Sequence, residues 1–363
     1  MLHVVTADNV GRVRLTLGSV LLWGSLAILG LVALAQLMQT YGIVDLGLSN
    51  WRPTLYAYLV FSVCLCVTQV LRRGEHGKRD LFILPPLLFV LSLAIFPLVF
   101  GLVLAFSDWN LSSAAGRHFN GLANVRQLLS DVFFWTAMGN MIWYLLAILP
   151  EFVIAFGLAL MLNAQIRAQK FFRVAFLLPL MLSPVAVSWM IGKSMFVTQP
   201  AGPVVSFLQF LGVDRPVFYS NPWAARLMVM LLDAWTFIPF MMIMILAGLQ
   251  AIPKELHEAA RVDGATGWRA FWEVTFPMMI SVSVTTLLIR IIFKLKLADL
   301  VITLTAGGPG GATDSVTSFI YREYRERSNV GYGTLLAIVY LIVIVIVMTA
   351  LTKVAEKATR PKT

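Results

Sequence analysis

Eight stretches of this 363-residue chain are too long and too apolar to be hidden inside a protein dissolved in water. They lie at about 15–38, 53–71, 81–106, 134–162, 171–196, 225–250, 277–298 and 332–352. Each is close to or beyond the ~20 mostly apolar residues that a helix needs to cross a bilayer. Hydrophobic residues make up 59% of the sequence and charged residues 13%, about half the usual charged share of a soluble domain. A water-soluble core of this chain length cannot take up so much apolar material. The expected fold is therefore an all-α integral membrane protein with about eight transmembrane helices. A disordered tail protein, a disulfide scaffold and most soluble enzymes are excluded. Cys64 and Cys66 stand two residues apart inside an apolar run. They are poorly placed to bridge and read as small membrane-facing residues, not as a metal or redox site.

The first run follows Arg12 and Arg14, and its apolar core is too long for a cleaved signal peptide. It is expected to be retained. The run at 171–196 holds Pro179 and Pro184, which predicts a kink or local unwinding. The net charge of +10 is spread between the apolar runs, so it reads as a topology signal and not as a nucleic-acid footprint. With the N-terminus placed in the cytoplasm, 16 Lys and Arg fall in inside segments and 7 in outside ones. The other 5 of the 28 lie within or beside spans. That bias predicts both termini inside, in accord with an even number of spans.

No connection is long enough for a large soluble domain. The spacer at 72–80, Arg-Arg-Gly-Glu-His-Gly-Lys-Arg-Asp, reads as a boundary. The expected division is 1–80 for two accessory helices and the spacer, 81–352 for a six-helix core, and 353–363 for a cytoplasmic tail.

One connection carries a pattern. At 252–277 the chain reads Ile-Pro-Lys-Glu-Leu-His-Glu-Ala-Ala-Arg-Val-Asp-Gly-Ala-Thr-Gly-Trp-Arg-Ala-Phe-Trp-Glu-Val-Thr-Phe-Pro. Pro253 suits the first position of a helix and Glu255 its positive end. Leu256, Ala259, Ala260 and Val262 give an apolar side, whereas Lys254, Glu255, Glu258 and Arg261 give a polar one. Gly264 suits a left-handed stop. A second short helix is expected through Trp268 to Glu273, and Pro277 is expected to open the next span. The small alanines allow another surface to approach. The plainer alternative is an interfacial helix lying on lipid.

These residues resemble the EAA loop of ABC importer permeases: Glu258-Ala259-Ala260, three residues, Gly264, then nine residues to Val274-x-Phe276-Pro277. Val274 and Phe276 stand where the family prefers Ile and Leu. The likeness to the carbohydrate-importer branch covers about 81–352. It includes Asp108-Trp109-Asn110, Gly121-Leu122-Ala123-Asn124, Phe134-Trp135, Phe171-Phe172-Arg173, Leu178-Pro179, Ala247 to Pro253, and the Gly-rich Leu304 to Thr313. The two extra N-terminal helices resemble the maltose-type first permease, without the large periplasmic insertion of some of its members.

The resemblance implies a subunit of a bacterial inner-membrane sugar importer. Its implied partners are a second homologous permease, two ABC ATPases, an extracytoplasmic solute-binding protein, membrane lipid and a small sugar. Glu258 would anchor the ATPase contact, Ala259 and Ala260 would allow close approach, and Gly264 would set the turn, with Asp263 and Pro277 in the same coupling loop. No Walker motif is present, so ATP and Mg are expected on the ATPases and no cofactor on this chain. The stretch 304–313 lacks the Gly-Lys-Ser/Thr of a phosphate loop and reads as a flexible outer turn. His257-Glu258 is not a zinc motif, because Arg261 stands where the second His belongs.

Charges deep in a span are costly and are usually paired or functional. Glu151, Asp233, Arg290, Lys294 and Lys296 are of this kind. Arg290 and Lys294 are four apart, so they share a helix face and call for an anion, water or headgroups. The family often has an acid where this chain has Phe293, and an uncharged residue where it has Lys294. A more basic pathway follows, and with it the expectation of an acidic sugar derivative such as a phosphate, sulfonate or uronate. The alternative for Lys294 is snorkelling, or pairing with Asp299 or Glu151. Trp189, Trp235 and Phe237 offer faces to sugar rings. Trp235 with Asp233 and Thr236 is the first pathway candidate, followed by Ser183 and Ser188. An ion-gradient-driven secondary transporter is the alternative function, resting on Glu151 and Asp233. A membrane enzyme would need a nucleophile or metal cluster, for which four scattered His residues give no spacing.

Overall fold

The computed structural model describes residues 11–40, 43–48, 50–73, 75–164, 169–213 and 216–359. Arg167, Arg215, Arg360 and Lys362, four of the charges that weigh on orientation, lie outside them. So do the first ten and last four residues. Among the described residues seven helical stretches are long and apolar enough to cross a membrane, and one bent pair makes an eighth. The structure thus carries the all-α, roughly eight-span architecture expected from the apolar runs.

The chain forms two compact units. The first holds three long helices, α1 (Arg12–Thr40), α2 (Arg52–Arg73) and α3 (Glu75–Ala105), and a small antiparallel pair, β1 (Ser107–Asp108) with β2 (His118–Phe119). Gly18 brings α1 close to α2, for a Cβ there would meet the Arg72 side chain at 2.9 Å. Thr68 Oγ1 donates to Gly18 O at 3.2 Å across the same contact. The 72–80 stretch is helical on both sides of Gly74. Only 11–17% of the most apolar window of each helix is buried, so their apolar flanks face outward, as lipid requires.

The second unit begins with α4 (Ala123–Ser130), α5 (Val132–Leu146) and α6 (Ile148–Asn163). The bent span follows: α7 (Gln169–Met181) breaks by 94° before α8 (Pro184–Val187), a wide π turn (Ser188–Lys193) and α9 (Ser194–Phe196). Pro184 produces the break, because it opens α8 with Ser183 as N-cap, while Pro179 sits inside α7. Then come α10 (Pro203–Phe210), the 30-residue α11 (Pro222–Ala251), α12 (Lys254–Val262) and α13 (Gly267–Ala270). A π turn at Phe271–Thr275 leads from α13 into α14 (Phe276–Leu295). The separate short helix expected before Pro277 is therefore the first turns of one 29-residue span, Gly267–Leu295. The wide turn makes room for the Pro277 ring, which a regular helix would press against the carbonyl four residues back. The unit closes with α15 (Asp299–Leu304), α16 (Val316–Tyr321) and α17 (Val330–Thr359).

The middle of this unit is α11, half buried over its most apolar window. Met241, Met242, Ile245, Leu246 and Leu249 pack on Ala155, Phe156, Ala159 and Leu162 of α6 and on Met279 of α14. Gly248 allows the α11–α14 approach: a Cβ there would stand 2.8 Å from Met279 and 2.9 Å from Val282.

Candidate functional site

Three helices of the second unit bring the buried charges together. Glu151 stands in the first turn of α6, Asp233 midway along α11, and Arg290 and Lys294 one turn apart on α14. Arg290 Nε donates to Glu151 Oε2 at 2.9 Å, and Lys294 Nζ donates to Glu151 Oε1 at 2.8 Å. Both cations also reach Asp233 Oδ2. Both have fully buried side chains, and the acids are 3% exposed. The Arg290 guanidinium carbon lies 4.4 Å from the centroid of the Phe237 ring. Two positive and two negative charges sum to zero, which is the condition for keeping such groups out of water. Lys294 thus takes the pairing alternative with Glu151, not with Asp299, and is no free cation of the pathway. The same pairing engages Glu151 and Asp233, the two acids on which the secondary-transporter alternative rested.

A pocket of about 170 Å³ opens beside this cage, lined by Asp233, Thr236, Phe237, Phe293 and Lys296 among others. Asp233 and Thr236 are three apart and share a face of α11. Trp235, two from Asp233, points elsewhere and is 40% exposed outside that lining. Thr236 Oγ1 donates to Leu232 O at 2.9 Å, which leaves its lone pairs free. Ser183 accepts the Ala186 N–H at 3.2 Å as an N-cap. Ser188, fully buried, donates to Pro184 O at 2.9 Å. Trp189 is more than half exposed and lies in a different, larger cleft.

The Gly264 segment is built as a helix stop. Gly264 has φ +75°, its N–H donates to Arg261 O at 3.1 Å, and Ala265 N–H donates to Ala260 O at 2.8 Å. These are the two bonds of a Schellman motif, with Ala260 and Ala265 as its buried apolar pair. No atom lies within 4 Å of a Cβ built on Gly264, so the glycine answers a backbone need and not a spatial one. Glu258, Ala259 and Asp263 are exposed. Of the apolar side only Ala260 is buried: Leu256 is 39% exposed and Val262 87%. The helix therefore offers an uncovered apolar stripe.

The Gly-rich stretch is not the flexible turn its composition predicts. Residues 311–316 are buried. Asn140 Nδ2 donates to Asp314 O at 2.9 Å, Tyr144 Oη to Thr313 O at 2.6 Å, and Arg226 Nε to Ala312 O at 2.6 Å. The Asp314 carboxylate accepts Ser318 Oγ–H at 3.0 Å and pairs with Arg322. Burial nonetheless pushes the Asp314 carboxyl up to about 6, against the pull of Arg322. Gly307 and Gly311 take φ of +80° and +82°, and a Cβ on Gly307 would run into the Asp314 carboxylate. The glycines thus fold a loop around a buried acid. The one sequence signal was the polar run Thr313-Asp314-Ser315, too rich in donors and acceptors for an idle turn.

Residues 153–361 match the family described as binding-protein-dependent transport system inner membrane component. The chain belongs to this family. The permease is 31% identical over 273 residues to the sulfoquinovosyl glycerol transport system permease protein SmoG of Agrobacterium fabrum, a match covering 75% of this chain and 88% of that protein. It is 30% identical over 279 residues to the trehalose/maltose transport system permease protein MalF of Thermococcus litoralis, covering 77% and 93%. A crystal structure of a bacterial ABC transporter involved in the import of the acidic polysaccharide alginate contains a chain of the same fold. There the TM-score is 0.69 at 23% identity, covering 80% of the permease and 100% of that chain. The permease is accordingly a multi-pass membrane protein of the ABC transporter permease class.

Proposed function

We propose that the permease is the membrane-spanning subunit of an ATP-driven, binding-protein-dependent sugar importer. The observation that carries the coupling role is α12: a short helix between two spans, capped by a left-handed glycine, with its apolar stripe uncovered. In this reading Glu258, Ala259 and Ala260 seat α12 in an ATPase subunit, and Asp263 and Gly264 hold its angle. Because α13 runs through the π turn into α14, a push on α12 reaches the span directly. Residues 81–352 form the core and 1–80 the accessory helices, with both termini in the cytoplasm. A second homologous permease, two ATPases carrying ATP and Mg, and an extracytoplasmic binding protein complete the assembly. The sugar class rests on the names of the relatives, which transport sulfoquinovosyl glycerol and trehalose or maltose. The 170 Å³ pocket beside Asp233 and Thr236 lies on the substrate route. ATP-driven closure of the ATPase pair then rocks the permeases between inward and outward states.

The test is mass spectrometry of what copurifies with a tagged copy from its native membrane in mild detergent. An ATPase and a second permease are expected. Recovery of this chain alone, transporting under an ion gradient in liposomes, would replace the reading with a secondary transporter.

A further inference from the structure

A cleft of the second unit, about 1080 Å³, lies away from the caged charges, between the π turn Ser188–Lys193, α10, residues 216–220 and the start of the Gly-rich loop. Its size is slightly above the ~300–1,000 Å³ of typical small-molecule sites. Its walls are fixed from several sides. Tyr219 Oη donates to Gly192 O at 2.7 Å, and the Phe196 and Phe218 rings meet edge to face at 5.0 Å. Gly202 packs where a Cβ would stand 2.6 Å from the carbonyl oxygens of Ser194 and Met195.

The charge of this cleft is one-sided. Lys193 Nζ sits 4.1 Å from the Trp189 ring centroid, and among the described residues no Asp or Glu lines the cleft. Among the described residues Lys193 forms no ion pair, in contrast to Lys294, which faces two carboxylates. The cation–π contact holds the ammonium in place without neutralising it. The exposed Gln199, Gln209, Thr198 and Ser220 supply donors and acceptors of the kind that hydroxyl-rich ligands need.

We infer that this cleft is a binding subsite for an acidic saccharide, with Lys193 holding the anionic group and the amides and hydroxyls holding the ring. The assignment rests on the sugar-importer reading and names its substrate class. It moves the acid-recognising role from Lys294, which is neutralised, to Lys193, which is not.

Glucuronate and glucose are the probes, since they differ only in the carboxylate. Binding to the full chain in nanodiscs is titrated by saturation-transfer NMR, for the wild type, Lys193→Gln and Lys193→Arg. One charge-assisted hydrogen bond corresponds to a preference of about tenfold or more for glucuronate. Lys193→Gln should abolish that preference and Lys193→Arg should keep it, with both variants eluting as the wild type does. Equal binding of the two sugars, no binding of glucuronate up to about 50 mM, or an undiminished preference in Lys193→Gln would overturn the subsite. An ATPase that copurifies alongside such a result would leave the importer standing and remove only the acidic-saccharide site.

Discussion

Replacing Glu151 by Gln would leave two buried cations facing one acid. In the native cage Glu151 accepts from Arg290 Nε at 2.9 Å and from Lys294 Nζ at 2.8 Å, and all three side chains are essentially dry. The substitution keeps the shape and removes one negative charge, so the cage goes from neutral to +1. Removing one partner of a buried ion pair costs about 3–5 kcal/mol. At about 2–4 °C per kcal/mol for a unit of this size, the melting temperature should fall by roughly 6–20 °C. Lys294→Met alone leaves a charge of −1 and should fall similarly. The double variant Glu151→Gln/Lys294→Met restores neutrality with Asp233 opposite Arg290, and should recover more than half of either loss. Thermostability by fluorescence-detected size exclusion in detergent reads all four proteins under one condition. Single variants within 2 °C of wild type, or a double variant equal to the sum of the singles, would refute the neutral-cage argument.

Gly264→Val places a β-branched residue at φ +75° and should cost about 1–2 kcal/mol locally. In the reconstituted importer it should separate ATP hydrolysis from sugar uptake, and normal coupled uptake would contradict the role given to the turn. Gly248→Val should destabilise the α11–α14 contact by about 1–3 kcal/mol, since its Cβ would stand 2.8 Å from Met279 and 2.9 Å from Val282. An unchanged melting temperature would show that the two helices are free to separate. Asp314 titrates near 6 in the fold against 3.8 for the free side chain, so the folded loop binds the proton more tightly. Its contribution is full below pH 3.8 and is lost as pH rises through about 6, by up to about 3 kcal/mol. Asp314→Asn should flatten the stability difference between pH 4 and pH 7, and an unaltered slope would discharge Asp314 from that role.

The features legible in the sequence were those with a local period or a local motif. Apolar length marked all eight spans, because a bilayer imposes one requirement on every crossing helix. The stop at Gly264 was legible because a left-handed cap depends on one residue and its immediate neighbours. The break near Pro184 followed from the geometry of proline. Harder to see was the end of the Gly-rich stretch, where composition suggests freedom. Its anchors are Asn140, Tyr144 and Arg226, more than 80 residues away in sequence, and no local pattern announces such bonds. The charges failed in the same way. Arg290 and Lys294 were visible as a pair on one face, but their compensation by Glu151 and Asp233 depends on the packing of α6, α11 and α14. A count of charges in a span tells that charge is present; only the fold tells whether it is available.

That packing constrains how the proposed importer moves. The α14 helix is tied to α11 by the close approach at Gly248 and to both α6 and α11 by the charge cage. At its far end Tyr340 Oη of α17 donates to Leu295 O at 2.8 Å. Opening the cage would strand charges in a dry interior, at several kcal/mol per ion. The four helices therefore form one stiff body, and in the proposed importer α12 would be the lever attached to it through α13 and the π turn. Alternating access then cannot proceed by parting α6, α11 and α14. In the proposed importer the rocking surface would then be the contact with another subunit, the place that the proposed second permease would take. Cross-linking α11 to α14 through engineered cysteines near Gly248 should leave coupled uptake intact. Loss of uptake on cross-linking, restored by reduction, would show that the body flexes within itself.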